Sequence, residues 1–163
     1  MNRAAALAAG ALLCVAVAAD SLGWRAPAPL RDLPQSRLQV VTDSGRHRFK
    51  VWIAADDASR DRGLMFVQEL PRRHGLLFLF DSPRITAFWM KDTYLALDLI
   101  FIAEDGRVVN IIAGAKPLSL EPLWSAGPVK GALEVPAGTA ARIGLRPGDR
   151  VRHAVFTAAA PQE

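Results

Sequence analysis

Cysteine is almost missing from this chain of 163 residues. The only one, Cys14, lies in an apolar N-terminal stretch. Loss of that stretch would leave a domain with no disulfide, no thiolate nucleophile and no Cys-ligated metal, held by burial and hydrogen bonds alone. Runs of lysine and arginine interleaved with aromatics are also missing. The arginines are scattered (Arg46, Arg48, Arg60, Arg62, Arg72, Arg73, Arg84) and the formal charge is +4. Nucleic acid is therefore not an expected partner, although a weak attraction to anionic membrane or cell-wall polymers is. Glycines occur singly, without a phosphate loop or dinucleotide fingerprint. Ser119 and Ser125 have no nucleophile elbow around them. No internal repeat is visible, and neither a metal nor a cofactor is expected.

What is present begins at the N-terminus. Asn2 and Arg3 form a short polar start, Ala4 to Ala19 run without a charge, and Asp20 ends the run. The apolar stretch is shorter than the roughly 20 residues a helix needs to cross a bilayer. Ala16-Val17-Ala18 and Val17-Ala18-Ala19 place small residues where signal peptidase requires them. Residues 1–19 therefore read as a secretory signal, with an uncleaved membrane anchor through residues 4–19 as the alternative. A lipoprotein is disfavoured, because Leu13 precedes Cys14 where a lipobox needs a small residue. The expected location is outside the cytoplasm: periplasmic, or held at the inner membrane. Residues 20–36, with Pro27, Pro29 and Pro34, read as an extended tether. Residues 37–158 form the domain and 159–163 a tail.

Within the domain, Leu38–Thr42 and His47–Ala54 flank Asp43-Ser44-Gly45 as a hairpin. Asp56 or Asp57 caps a short helix through Arg62, after which Leu64, Met65 and Phe66 turn inward. Leu76–Phe80 is apolar on both sides, as in a buried central strand. Asp81–Arg84 reads as a turn and Thr86–Met90 as a strand. Leu97–Ala103 and Val108–Ala113 form a second hairpin around Asp105-Gly106. The stretch 114–128 reads as an ordered loop, Gly131–Val135 as a strand, Thr139 as the cap of a helix ending at Gly144, and Val151–Thr157 as a last strand. The fold class is mainly β (α+β): one compact domain, a curled sheet or small barrel with two short helices.

Chemistry concentrates in Phe88-Trp89-Met90-Lys91-Asp92-Thr93. Strand alternation puts Phe88 and Met90 on one face and Trp89 and Lys91 on the other. An indole beside an ammonium, with Asp92 and Thr93 supplying oxygens, suits a sugar ring or an extended peptide. The bland alternative has Trp89 packing under a loop and Lys91 pairing with Asp92 in water.

Several blocks resemble the bacterial and archaeal family called domain of unknown function 192. They are Arg62-Gly63-Leu64-Met65, Gly75-Leu76-Leu77-Phe78, Phe88 to Thr93, Leu97 to Ile102, and Leu133 to Gly138. The resemblance covers about residues 38 to 156. It implies a single β-rich domain, often behind a signal or anchor, and carries no settled activity. The family usually shows Asn where this chain has Asp92; an amide donates and accepts, whereas a carboxylate only accepts. Many members carry two cysteines in the proline loop where this chain has Leu118 and Leu123, so any redox or metal role of those cysteines does not transfer.

Asp98 and Glu134 each interrupt an apolar strand. A buried carboxylate must find partners. Each reads either as a catalytic acid or base, or as a structural acceptor for backbone N–H groups or an arginine. Facing each other across a cleft, the two would suit a hydrolase of cell-envelope polymer. Met65, Met90 and His74 could supply soft ligands to copper(I), but inward methionines are usually packing. His47 and His153 read as surface or loop residues. The leading expectation is a non-enzymatic binding or accessory module for saccharide or cell-envelope polymer. Its site would be Trp89, Lys91, Asp92 and Thr93, framed by Arg62, Asp98 and Glu134, with peptide as the second ligand class. The alternatives are the Asp98–Glu134 hydrolase and a structural partner in a membrane complex, which would expose a broad apolar patch.

Overall fold

The computed structural model describes residues 25–156. The apolar segment 1–19, the first part of the tether and the C-terminal tail lie outside the described residues. Seven strands form one curled sheet in the order β6-β5-β8-β3-β2-β1-β9. They are β1 (Gln35–Thr42), β2 (Gly45–Ala54), β3 (His74–Arg84), β5 (Leu97–Ile102), β6 (Val108–Ala115), β8 (Val129–Pro136) and β9 (Arg150–Arg152). All neighbours are antiparallel except β2 and β3. That parallel pair needs a crossover, which α2 (Asp57–Arg62) provides. The two outer strands approach each other: Arg107 bridges to Arg150, and the Val108 and Val151 amides donate to the carbonyls of Asp149 and Gly106, each at 2.8 Å. The sheet is thus a curled half-barrel drawn together at one end.

Local chemistry explains the elements. Asp56 caps α2 by accepting from the Ser59 amide at 2.9 Å, and the Ser59 hydroxyl closes a reciprocal capping box. The hairpin β1–β2 turns at Asp43-Ser44, where Gly45 takes φ +127°. The helix α3 (Thr139–Ile143) ends at Gly144 in the left-handed region as expected. Its N-cap is Gly138, however, and Thr139 is the first helical residue. Strand β3 runs on through the expected turn to Arg84, with a register shift between Leu79 and Arg84 against β8. The expected strand at 86–90 shrinks to β4 (Ala87–Phe88), paired with β7 (Leu123–Trp124) from the proline loop.

Both faces of the sheet are buried, which is why Leu76–Phe80 carries no polar side. Leu77, Ile100, Leu133 and Val135 join Val108 and Val151 of the outer strands inside the curl, where α3 also packs. The other face carries Trp52, Leu76, Phe78, Leu97, Leu99 and Phe101, roofed by Leu64, Val67 and Met90 from the loops. A third short helix, α1 (Ala28–Arg31), lies in the stretch expected to be tether. Its Leu30 is fully buried in this second layer, with Ala26 and Leu33 packed beside it. The end of the proline segment is thereby part of the domain's packing.

Candidate functional site

The site is assembled on the roofed face of the sheet. Gly63 ends α2 with φ +50°, and its Cα lies so close to Phe78 that an added Cβ would meet the ring at 3.3 Å. The chain then turns so that Leu64 is buried while Phe66, expected inward, is exposed with φ +64°. Opposite, Phe88 wedges edge-on between Phe78 (centroids 4.8 Å apart) and Phe101 (5.7 Å). This fixes β4 on the sheet. Past the end of β4, Met90 is fully buried and Trp89 is 53% exposed. Between the α2 turn, β4 and the proline loop lies a cleft of about 820 Å3, floored by Phe78, Phe80 and Glu134.

Hydrogen bonds between loops set its rim. The Phe66 amide donates to Asp92 O (2.9 Å), the Leu118 amide to Thr93 O (3.1 Å), and the Met90 amide to Ser119 O (2.9 Å). Phe66, Asp92 and Leu118 are the non-glycine residues with positive φ among the described residues. Backbone held in this costly region by surrounding structure gathers at functional sites. Asp92 at φ +51° also gives a backbone reason for its residue type, since Asn and Asp tolerate this conformation best. The exposed large apolar side chains of the described residues are Phe66, Ile85, Trp89, Tyr94, Leu118, Leu120 and Trp124, all on these same segments.

Arg62, Trp89, Lys91, Thr93 and Glu134 line the one cleft. The Lys91 ammonium lies 5.6 Å from the Trp89 ring centroid and forms no salt bridge with Asp92. Thr93 is buried and its hydroxyl donates to Lys91 O at 3.0 Å. Asp92 lies beside the lining and contributes its backbone. Arg84 and Phe80 also belong to the site: the guanidinium carbon lies 4.3 Å over the Phe80 ring. Sequence reading missed both, because the irregular continuation of β3 carries Arg84 past the expected turn.

The two strand acids have separate environments. Asp98 accepts from the amides of Gly114 (2.9 Å), Gly138 (3.2 Å) and Ala140 (2.8 Å), the last at the start of α3. It is a structural acceptor, and it lies outside the cleft. Glu134 is paired in register with Leu76 and Leu99 on the roofed face. Its residue is 4% exposed, and Oε2 is buried without a hydrogen-bond partner. Burial pushes its pKa from 4.5 up to about 8. Glu134 is thus a neutral acid in the floor at neutral pH. Arg60 is structural: it donates to the carbonyls of Ala55 and Leu79 and pairs with Asp57 at 2.6 Å. No cluster of His, Cys, Asp or Glu suited to a metal occurs among the described residues.

The family model for domain of unknown function 192, described as an uncharacterized ACR, matches residues 39–153. The chain belongs to this family. Two solved structures are similar along most of their lengths. One, from Sinorhizobium meliloti, is named a “putative transcription regulator”. It is 40% identical, has a TM-score of 0.72, and the match covers 74% of this chain and 94% of that one. The other, from Novosphingobium aromaticivorans, is a protein of unknown function, 40% identical with a TM-score of 0.75, covering 81% and 94%. No curated protein matches. The family membership agrees with the fold and leaves the activity to be argued from the site.

Proposed function

We propose that this member of the domain of unknown function 192 family is a non-enzymatic binding module. Its cleft takes a saccharide or a fragment of cell-envelope polymer, outside the cytoplasm. The observation that carries the reading is the half-exposed Trp89 indole on the wall of a preformed cleft, with Lys91 beside it and Thr93 below. An aromatic face with fixed polar neighbours is the arrangement that stacks on a sugar ring. The extracytoplasmic setting rests on the signal-like segment 1–19. Mass measurement of the mature N-terminus tests it: a start near Ala19 or Asp20 means secretion, and retention of residues 1–19 means anchorage.

The hydrolase reading needs Asp98 and Glu134 to flank one bond within a shared cleft, and they stand on opposite faces of the sheet. A regulatory role, raised by the name of the Sinorhizobium relative, gains nothing from the scattered arginines. One observation favours a second reading, a partner in a membrane complex. Exposed Ile85, Tyr94, Leu118 and Trp124 extend the apolar rim beyond what a small ligand would cover. Among the described residues no helix is long and apolar enough to cross a membrane.

A glycan and peptide array probed with wild-type and Trp89→Ala protein separates these readings. The binding-module reading predicts saccharide signals that fall in the variant. Equal signals from both proteins would remove the proposed site, and peptide signals alone would replace the ligand class.

A further inference from the structure

Charge is unevenly satisfied around the cleft. Of its basic residues, Arg60 is tied to Asp57 and to backbone carbonyls. Arg62, Arg84 and Lys91 form no salt bridge among the described residues. Two of them are steered by aromatic rings, Arg84 over Phe80 and Lys91 beside Trp89. Against these three cations the cleft sets one free carboxylate, Asp61, at its outer edge on α2. Beneath the cations lies the aromatic floor with the one buried, unpartnered polar group of the cleft, Glu134 Oε2.

A polar atom buried without a partner costs stability. A hydrogen-bonding ligand in the cleft would relieve that cost. Resting on the saccharide reading, we propose that the ligand is an acidic saccharide. Arg62, Arg84 and Lys91 receive its carboxylate or phosphate at the mouth, and the Glu134 carboxyl donates a hydrogen bond to one of its neutral oxygens from the floor. Donation requires the protonated form, which burial favours up to about pH 8. Other titratable groups on that side are few. Strand β3 brings His74 and Arg84, α2 brings Asp57 (paired with Arg60), Arg60, Asp61 and Arg62, and Lys91 follows β4. The facing residues of β5 and β2, Leu97, Leu99 and Trp52, carry no charge. The proton on Glu134 is therefore retained by burial rather than by an anionic neighbour.

The test uses the full-length protein on an array of matched oligosaccharides: neutral, uronic-acid and phosphorylated versions of each backbone. Charged members should bind at least about tenfold more tightly than their neutral partners. The double variant Arg62→Gln/Lys91→Gln should lose about tenfold more on the charged members than on their neutral partners. The preferred charged class tells carboxylate from phosphate. Glu134→Leu should lose about tenfold on every bound saccharide while melting no lower than wild type, and Glu134→Gln, which keeps a donor, should retain binding. Neutral members bound as tightly as charged ones would overturn the acidic assignment and leave the saccharide reading standing. Undiminished binding by Glu134→Leu would overturn the floor contact. Silence of the whole array would remove the saccharide reading and this inference with it.

Discussion

Asp98 and Glu134 sit on neighbouring strands, one residue out of step: Asp98 opposes Val135, and Leu99 opposes Glu134. Side chains alternate along a strand, so this offset sends the two carboxyls to opposite faces. One carboxyl anchors backbone, and the other forms part of the cleft floor.

Asp98→Ala should therefore be a folding defect. It strands three backbone amides, including one at the start of α3. A loss of about 3 kcal/mol or more is expected. Urea denaturation measures it, and a loss below about 1 kcal/mol would contradict the structural role.

Glu134 should make stability fall as pH rises. The unfolded carboxyl ionises near 4.5, while the folded one holds its proton to about 8. Within that window the unfolded state binds fewer protons, and each pH unit costs up to roughly 1.4 kcal/mol. Below the window both states are neutral and the cost vanishes. Glu134→Gln should match wild type near pH 4.5 and exceed it by a few kcal/mol at pH 8. Parallel profiles would mean that the carboxyl is solvated.

The histidines give a slope of the opposite sign. Burial lowers the pKa of His153, and burial together with Lys50 lowers that of His74. As pH falls below their ordinary 6.5, the unfolded chain takes up protons that the fold resists. The stability they contribute at higher pH is then lost. His153→Gln should flatten this acid limb of the denaturation profile without altering the Glu134 limb. An unchanged acid limb would show that His153 titrates alike in both states.

Leu30→Ala tests whether the end of the proline segment belongs to the domain. Its side chain is fully buried in the roofed layer, so about 2–5 kcal/mol should be lost. A true tether would tolerate the change with no shift in melting temperature.

Much of this fold is legible in sequence because its signals are local. Asp56 and Ser59 lie within one turn and announce α2. The doubly apolar Leu76–Phe80 announces a central strand. Arg62 and the Trp89 segment lie in separate blocks of the family resemblance, far apart in the chain, and the structure brings them to one cleft. What stayed hidden depends on distant partners. Phe66 points outward because its amide is captured by Asp92 O in a left-handed turn, which no local pattern encodes. Leu30 looks like part of a flexible proline stretch until its pocket is known. Asp98 and Glu134 look alike in sequence because only strand register, fixed by pairing across the sheet, assigns their faces.

The most direct test of the account is an NMR titration of the protein with a saccharide selected on the array. Saturable shifts are expected at the Trp89 indole N–H and at the backbone amides of Arg62, Lys91 and Thr93, with Trp89→Ala still folded and within about 0.5 kcal/mol of wild-type stability but no longer responding. Shifts confined to residues away from the cleft, or a full response from Trp89→Ala, would contradict it.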